Sequence, residues 1–129
     1  MSQENVEIAR RIWEDELLFD ARSGVMDADF EVHDHALPDA AVGLGRVGFK
    51  RWTQAWNEAW QSWDIENEKY IDAGEQVVVL TRLRGRGKGS GVQVEEQGGF
   101  VISLRAGKVI RLDYFAGRAE ALEAVGLSE

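Results

Sequence analysis

Near Trp63 the apolar residues of this 129-residue chain change their period. Upstream they recur every three or four positions; downstream they alternate, and short turn signals divide the alternating stretches. "DIENEKYID" and "EQVVVLTRLRGRG" are separated by Ala73-Gly74, and "GVQVEEQGGFVISLR" and "KVIRLDYF" by Ala106-Gly107. Four strands joined by turns this tight predict an antiparallel meander.

The first half reads as helices around one strand. In residues 4–22, "ENVEIARRIWEDELLFDAR", Val6, Ala9, Trp13 and Leu17 form an apolar stripe between charges. The spacing predicts an amphipathic helix ended by Gly24, with Glu4 and Glu7 near its positive N-terminal end. Phe30 to Ala36 alternates as a short strand. Pro38, Gly43, Gly45 and Gly48 then predict a loop before a helix at about 47–63. The tail "GRAEALEAVGL" predicts a short helix closed by Gly126. The chain shows no repeat or linker, so residues 1–129 read as one α+β domain.

Four of the five tryptophans, Trp52, Trp56, Trp60 and Trp63, lie in "RWTQAWNEAWQSW". On a continuous helix they fall within an arc of about 80°, with Phe49 among them and Gln54, Glu58 and Gln61 opposite. Rings at this spacing ordinarily pack against a sheet as core. One short helix over a curved sheet leaves a gap at one end, however, and Trp56 or Trp60 is placed to line it.

On the sheet, Phe100, Ile102 and Leu104 alternate with Val101, Ser103 and Arg105. Simple pairing across Ala106-Gly107 puts Ile110, Leu112 and Tyr114 on the Val101 side and sets Asp113 opposite Phe100. Both faces would then be apolar. The face without helices becomes the expected surface of a homodimer.

Composition excludes several classes. Fifteen Lys and Arg against 23 Asp and Glu give a net charge of −8, the wrong sign for gripping phosphates, so no nucleic acid is expected. "RGRGKGSG" has neither phosphate-loop spacing nor a following helix, and reads as a solvated hairpin tip. No stretch is apolar enough to span a membrane, and the polar start lacks a signal peptide's apolar core. Without cysteine there is no disulfide or thiol chemistry, which suits a reducing compartment, and a cytoplasmic location is expected.

Together, "ENVEIARRIWE", "DADFEVHD", "GLGRVGFKRW", "DAGEQVVVLTRLRGRGKGSG", "LRAGKVIRLDYF" and "RAEALEAVGL" resemble, in order and spacing, the nuclear transport factor 2-like superfamily and its SnoaL-like branch. The resemblance covers nearly the whole chain. It implies a cystatin-like, cone-shaped fold in which a curved antiparallel sheet wraps N-terminal helices and one long helix. It also implies a pocket inside the cone for a small hydrophobic or aromatic molecule, and no cofactor. Family members include isomerases, polyketide cyclases, epoxide hydrolases and dehydratases, and also proteins without catalysis.

Asp34 in "EVHDHA" resembles the position of the catalytic base in the ketosteroid isomerases. A carboxyl group in an apolar cavity is suited to lifting a proton beside a carbonyl. Those isomerases hold the developing oxyanion with a tyrosine and a protonated acid, whose positions match Ile12 and the vicinity of Gly99 or Phe100 here, so both donors are missing. Alternation sends His33 and His35 to the face opposite Asp34. If the histidines face inward, either is a candidate base; otherwise Asp34 is the candidate, or a solvated aspartate at a strand end. No third ligand joins the histidines, so no metal is expected. Asp113 is either a site carboxylate, as in the polyketide cyclases, or the surface partner of Arg111. Tyr114 is a phenolic donor on the other face.

The reading that follows is a pocket lined by Trp13, Trp52, Trp56, Trp60, Phe100 and Tyr114. A non-catalytic binding or accessory role stands first; the alternative is a cofactor-independent acid/base enzyme using Asp34, His33, His35 or Asp113.

Overall fold

The computed structural model describes residues 2–37 and 41–128. Its elements are α1 (Ser2–Glu14), β1 (Met26–Asp34), β2 (Ala41–Leu44), α2 (Gly45–Ala59), β3 (Trp60–Ala73), β4 (Gln76–Gly87), β5 (Gln93–Arg105), β6 (Lys108–Phe115) and α3 (Arg118–Glu123). The strands form one curved sheet in the order β2-β1-β6-β5-β4-β3. The expected meander is present: β3, β4, β5 and β6 pair antiparallel in sequence order. β1 joins β6 in parallel and pairs antiparallel with β2 on its other side. Strand β2 falls in the stretch expected to be a loop; Pro38 lies outside the described residues.

The turns follow the local chemistry. Ala106 and Gly107 both have positive φ (52° and 78°) between the paired residues Arg105 and Lys108. This is the backbone that a two-residue hairpin matched to strand twist requires. Pairing then slips: Leu104 faces Val109, but Ser103 faces Arg111, leaving Ile110 as an extra residue. The bulge moves every later partner by one. Asp113 therefore pairs with Val101, and Leu112 and Tyr114 pair with Ile102 and Phe100. Leu112 and Tyr114 thus face inward with Phe100, on the face opposite to that expected from an unbroken ladder.

The inner face carries the main core, including Phe30, Val32, Val77, Val79, Ile102 and Leu112, closed by Ala9 and Ile12 of α1 and Phe49 of α2. On the outer face a smaller core of Val78 and Val101 is covered by Ala121 and Leu122 of α3. The chain thus covers part of the outer face itself. Near β1 and β2 that face still exposes Val42 and Leu44.

Strand β1 begins at Met26, four residues before the expected Phe30, and ends at Asp34, and both long helices end earlier than the periodicity predicts. Helix α1 stops at Glu14, eight residues before the expected end, because Glu16 takes left-handed angles (φ 50°, ψ 42°). Two single 3-10 turns follow, Leu17–Phe19 and Ala21–Ser23, the second capped by the Asp20 side chain, which accepts from the Arg22 N–H at 2.9 Å. Gly24, with φ 69°, closes the second turn. Helix α2 ends at Ala59, so Trp60 and Trp63 stand on β3 rather than on the helix. Trp60 pairs with Gly87 and Trp63 with Gly85. The hydrogen bonds of a long strand outweigh the helical period of the indoles, and tryptophan suits a strand equally well. A methyl group on Gly85 would come within 2.6 Å of the Trp60 ring, so the indole lies directly on β4.

Candidate functional site

Between the segment after α1, the inner face of α2 and the sheet lies a cavity of about 220 Å³. Helix α1 contributes Ile12 and Trp13, and the turn after it Glu16, Leu18 and Phe19. Helix α2 contributes Phe49, Trp52, Thr53, Trp56 and Asn57, and the sheet Trp63, Ile65, Phe100 and Leu112. The row of indoles follows the wall across the helix–strand junction: Trp52 to Trp56 is 6.1 Å between ring centres, and Trp56 meets Trp63 edge-on at 6.0 Å. Trp13 packs on Phe100 at 5.1 Å from the other side. Such pairs each add about 0.5–1.5 kcal/mol beyond area burial, so the wall is held by its own aromatic contacts.

Two of these indoles have partners for their polar edges. The Trp63 Nε1–H donates to Asn57 Oδ1 at 2.8 Å, and the Trp52 Nε1–H donates to Asp34 Oδ2 at 2.9 Å. The second bond explains the placement of Asp34, which is only 2% exposed. Its other oxygen, Oδ1, accepts the backbone N–H of Ala36 at 3.0 Å. Asp34 thus faces inward but lies behind Trp52 and is not among the residues lining the cavity.

Tyr114 is also inward and buried. Its hydroxyl donates to Glu96 Oε1 at 2.5 Å, and its ring meets Trp56 edge-on at 5.6 Å. Burial first, and the bond to Glu96 second, hold its pKa well above the ordinary tyrosine value. Its proton is therefore committed to Glu96 rather than offered to the cavity. Ile12 and Phe100 line the cavity, and neither side chain has a hydrogen-bonding group.

The remaining candidates are on the outer face. The parallel register sets His33 beside Asp113 and Asp34 beside Tyr114, so the two pairs face opposite ways. His33 Nε2 is hydrogen-bonded to Glu31 Oε1 at 2.7 Å, and His35 Nε2 to Asp113 Oδ1 at 2.7 Å. Arg111 grips Asp113 with two bonds, Nε to Oδ2 at 2.8 Å and a terminal nitrogen to Oδ1 at 2.9 Å. That hydrogen bonding raises the arginine's pKa further. The His35 ring stacks flat on Phe115 at 4.4 Å. Among the described residues, no group of three His, Asp or Glu side chains is arranged to hold a metal ion.

The structure thus brings Trp13, Trp52, Trp56 and Phe100 together at one cavity, and places Asp34 and Tyr114 behind its wall. Trp60 packs tilted beside Trp56 at 6.1 Å but lies against Gly85 and is not among the lining residues. Glu16, Thr53 and Asn57 at the cavity carried no sequence signal. Trp63 and Ile65 enter it only because β3 begins three residues before Trp63.

A family model described as a SnoaL-like domain matches residues 12–112. No curated protein sequence matches the chain. Several solved structures share the fold. A candidate SnoaL-like polyketide cyclase from Jannaschia sp. CCS1 superposes with a TM-score of 0.72 at 22% identity, over 88% of this chain and 85% of that one. An NTF2-like protein from Burkholderia xenovorans gives 0.70 at 24% identity, over 88% of both chains. A protein with a ketosteroid isomerase-like fold from Catenulispora acidiphila, crystallised in complex with trimethylamine, gives 0.65 at 19% identity, over 81% of this chain and 78% of that one. No helix among the described residues is long and apolar enough to cross a membrane.

Proposed function

The chain belongs to the SnoaL-like domain family, and from that premise we propose that it binds a small apolar or aromatic molecule in the indole-walled cavity, in a binding or accessory role rather than a catalytic one. The observation that carries this reading is the contrast between wall and chemistry. The cavity is bounded almost wholly by apolar side chains; the one carboxyl group among its described lining residues, Glu16, is solvent-exposed, and the buried one behind the wall, Asp34, already accepts from Trp52 and Ala36. General-base catalysis needs a base within hydrogen-bond reach of the proton that it takes.

Size narrows the ligand. An apolar cavity of about 150 Å³ holds benzene, and pockets for drug-sized molecules begin near 300 Å³. A cavity of about 220 Å³ suits one or two rings better than a four-ring skeleton.

An acid/base enzyme remains the second reading, supported by one contact. Trp52 lines the cavity and also holds Asp34, so a ligand that turned this indole would free a carboxyl oxygen. We place the protein in the cytoplasm. We also infer a homodimer formed through the outer face beside β1 and β2, where Val42 and Leu44 are exposed; sedimentation of the wild type against Leu44→Asp tests it, with a monomeric wild type as the contrary result.

The test of function is a titration of intrinsic fluorescence with one-, two- and four-ring ligands. Saturable quenching by the smaller classes, weakened about tenfold or more in Trp56→Ala and unchanged in Trp60→Ala, supports the pocket. Equal loss in both variants counts against it.

A further inference from the structure

Resting on the reading of the cavity as a ligand site, we propose that its ligand is a small organic cation, an alkylated ammonium carried on or beside an aromatic ring. The walls come first. Trp13, Trp52, Trp56, Trp63 and Phe100 surround the same space, and an indole face is the aromatic surface that attracts a cation most strongly. Rings inclined to one another, at 84° between Trp56 and Trp63 and 58° between Trp13 and Phe100, enclose a compact charge from several sides.

The charge in the lining itself is acidic, while the Arg46 guanidinium stands behind the lining at the Leu18 carbonyl. Among the described residues lining the cavity, Glu16 alone is charged, and it is a carboxylate. Directly behind Trp52 lies Asp34, whose bonds among the described residues come from neutral donors only. Glu96 sits at the far end of Tyr114, whose hydroxyl donates to it. The chain as a whole carries −8. Low-dielectric walls concentrate such a field within the cleft, so it attracts a cation and opposes an anion.

Glu16 is placed at the cavity by a strained backbone. Its φ of 50° is uncommon for a residue with a long side chain, and it turns the chain from α1 toward Leu18, which is buried. The carbonyl of Leu18 is held in turn by the Arg46 guanidinium at 3.1 Å. Glu16 therefore stands on a braced turn at the solvent-exposed edge of the cavity.

The test compares two molecules of nearly the same shape, phenyltrimethylammonium and tert-butylbenzene, by tryptophan fluorescence and calorimetry. The cation is expected to bind about tenfold more tightly than its neutral counterpart. Glu16→Gln and high salt should each remove a large part of that preference, read as the ratio of the two affinities under each condition. Equal or tighter binding of tert-butylbenzene overturns the cation proposal and leaves the ligand pocket standing. Absence of binding by both overturns both readings.

Discussion

The indole N–H of Trp52 donates to Oδ2 of Asp34 at 2.9 Å, tying the middle of α2 to the end of β1. Together with the Ala36 N–H it satisfies a buried carboxyl group, and it holds a cavity-wall indole in place. It joins the stability of the fold to the shape of the site.

Trp52→Phe keeps an aromatic ring but removes the donor, so Asp34 loses one of its two described partners in a buried setting. Leaving a buried acceptor unmet costs about 1–3 kcal/mol. Urea unfolding should show a loss in that range. A double-mutant cycle with Asp34→Ala should give a coupling of comparable size. Additive losses would mean that the bond contributes nothing of its own.

Gly85 is the seat of the Trp60 ring. Adding one methyl there puts it 2.6 Å from the indole, and overpacking of this kind costs about 1–3 kcal/mol. Gly85→Ala should therefore be destabilising in the wild type and far less so in a Trp60→Leu background. A similar cost in both backgrounds would place the ring elsewhere.

Alkaline stability should depend on Tyr114. Its ordinary pKa of 10.0 is raised in the folded chain, by burial first and by the bond to Glu96 second. A raised folded value means that the fold favours the protonated phenol. This contribution is fully present below about pH 10, the unfolded value, and is lost as pH rises toward the folded one. As pH rises above about 10, wild type should lose more stability than Tyr114→Phe, whereas below that pH the two should change in parallel. Parallel losses would show that the phenol titrates alike in both states.

The parts of the fold legible in the sequence were those set by local chemistry. Ala106-Gly107 specified its turn, and alternation specified β4 and β5. The parts hidden were those settled by distant partners. Nothing near Trp60 says that β4 will extend far enough to draw the helix's last indoles into a strand. Likewise, nothing near Ile110 announces a bulge, yet that one residue reverses the faces of Leu112 and Tyr114. Alternation correctly separated Asp34 from His33 and His35, but the sequence could not say which face was the inner one. Glu16 was unreadable for a different reason: it sits inside a good helical stripe and leaves it by adopting left-handed angles.

The most direct test follows the five indole N–H signals of the protein by nuclear magnetic resonance during titration with 2-naphthol, a two-ring neutral probe. Each tryptophan reports separately, so the wall is distinguished from the core. Saturable shifts are expected for Trp13, Trp52, Trp56 and Trp63, with Trp60 largely unmoved against Gly85. Shifts centred on Trp60, or none at all as the probe is raised to saturation, would contradict an open cavity walled by these indoles.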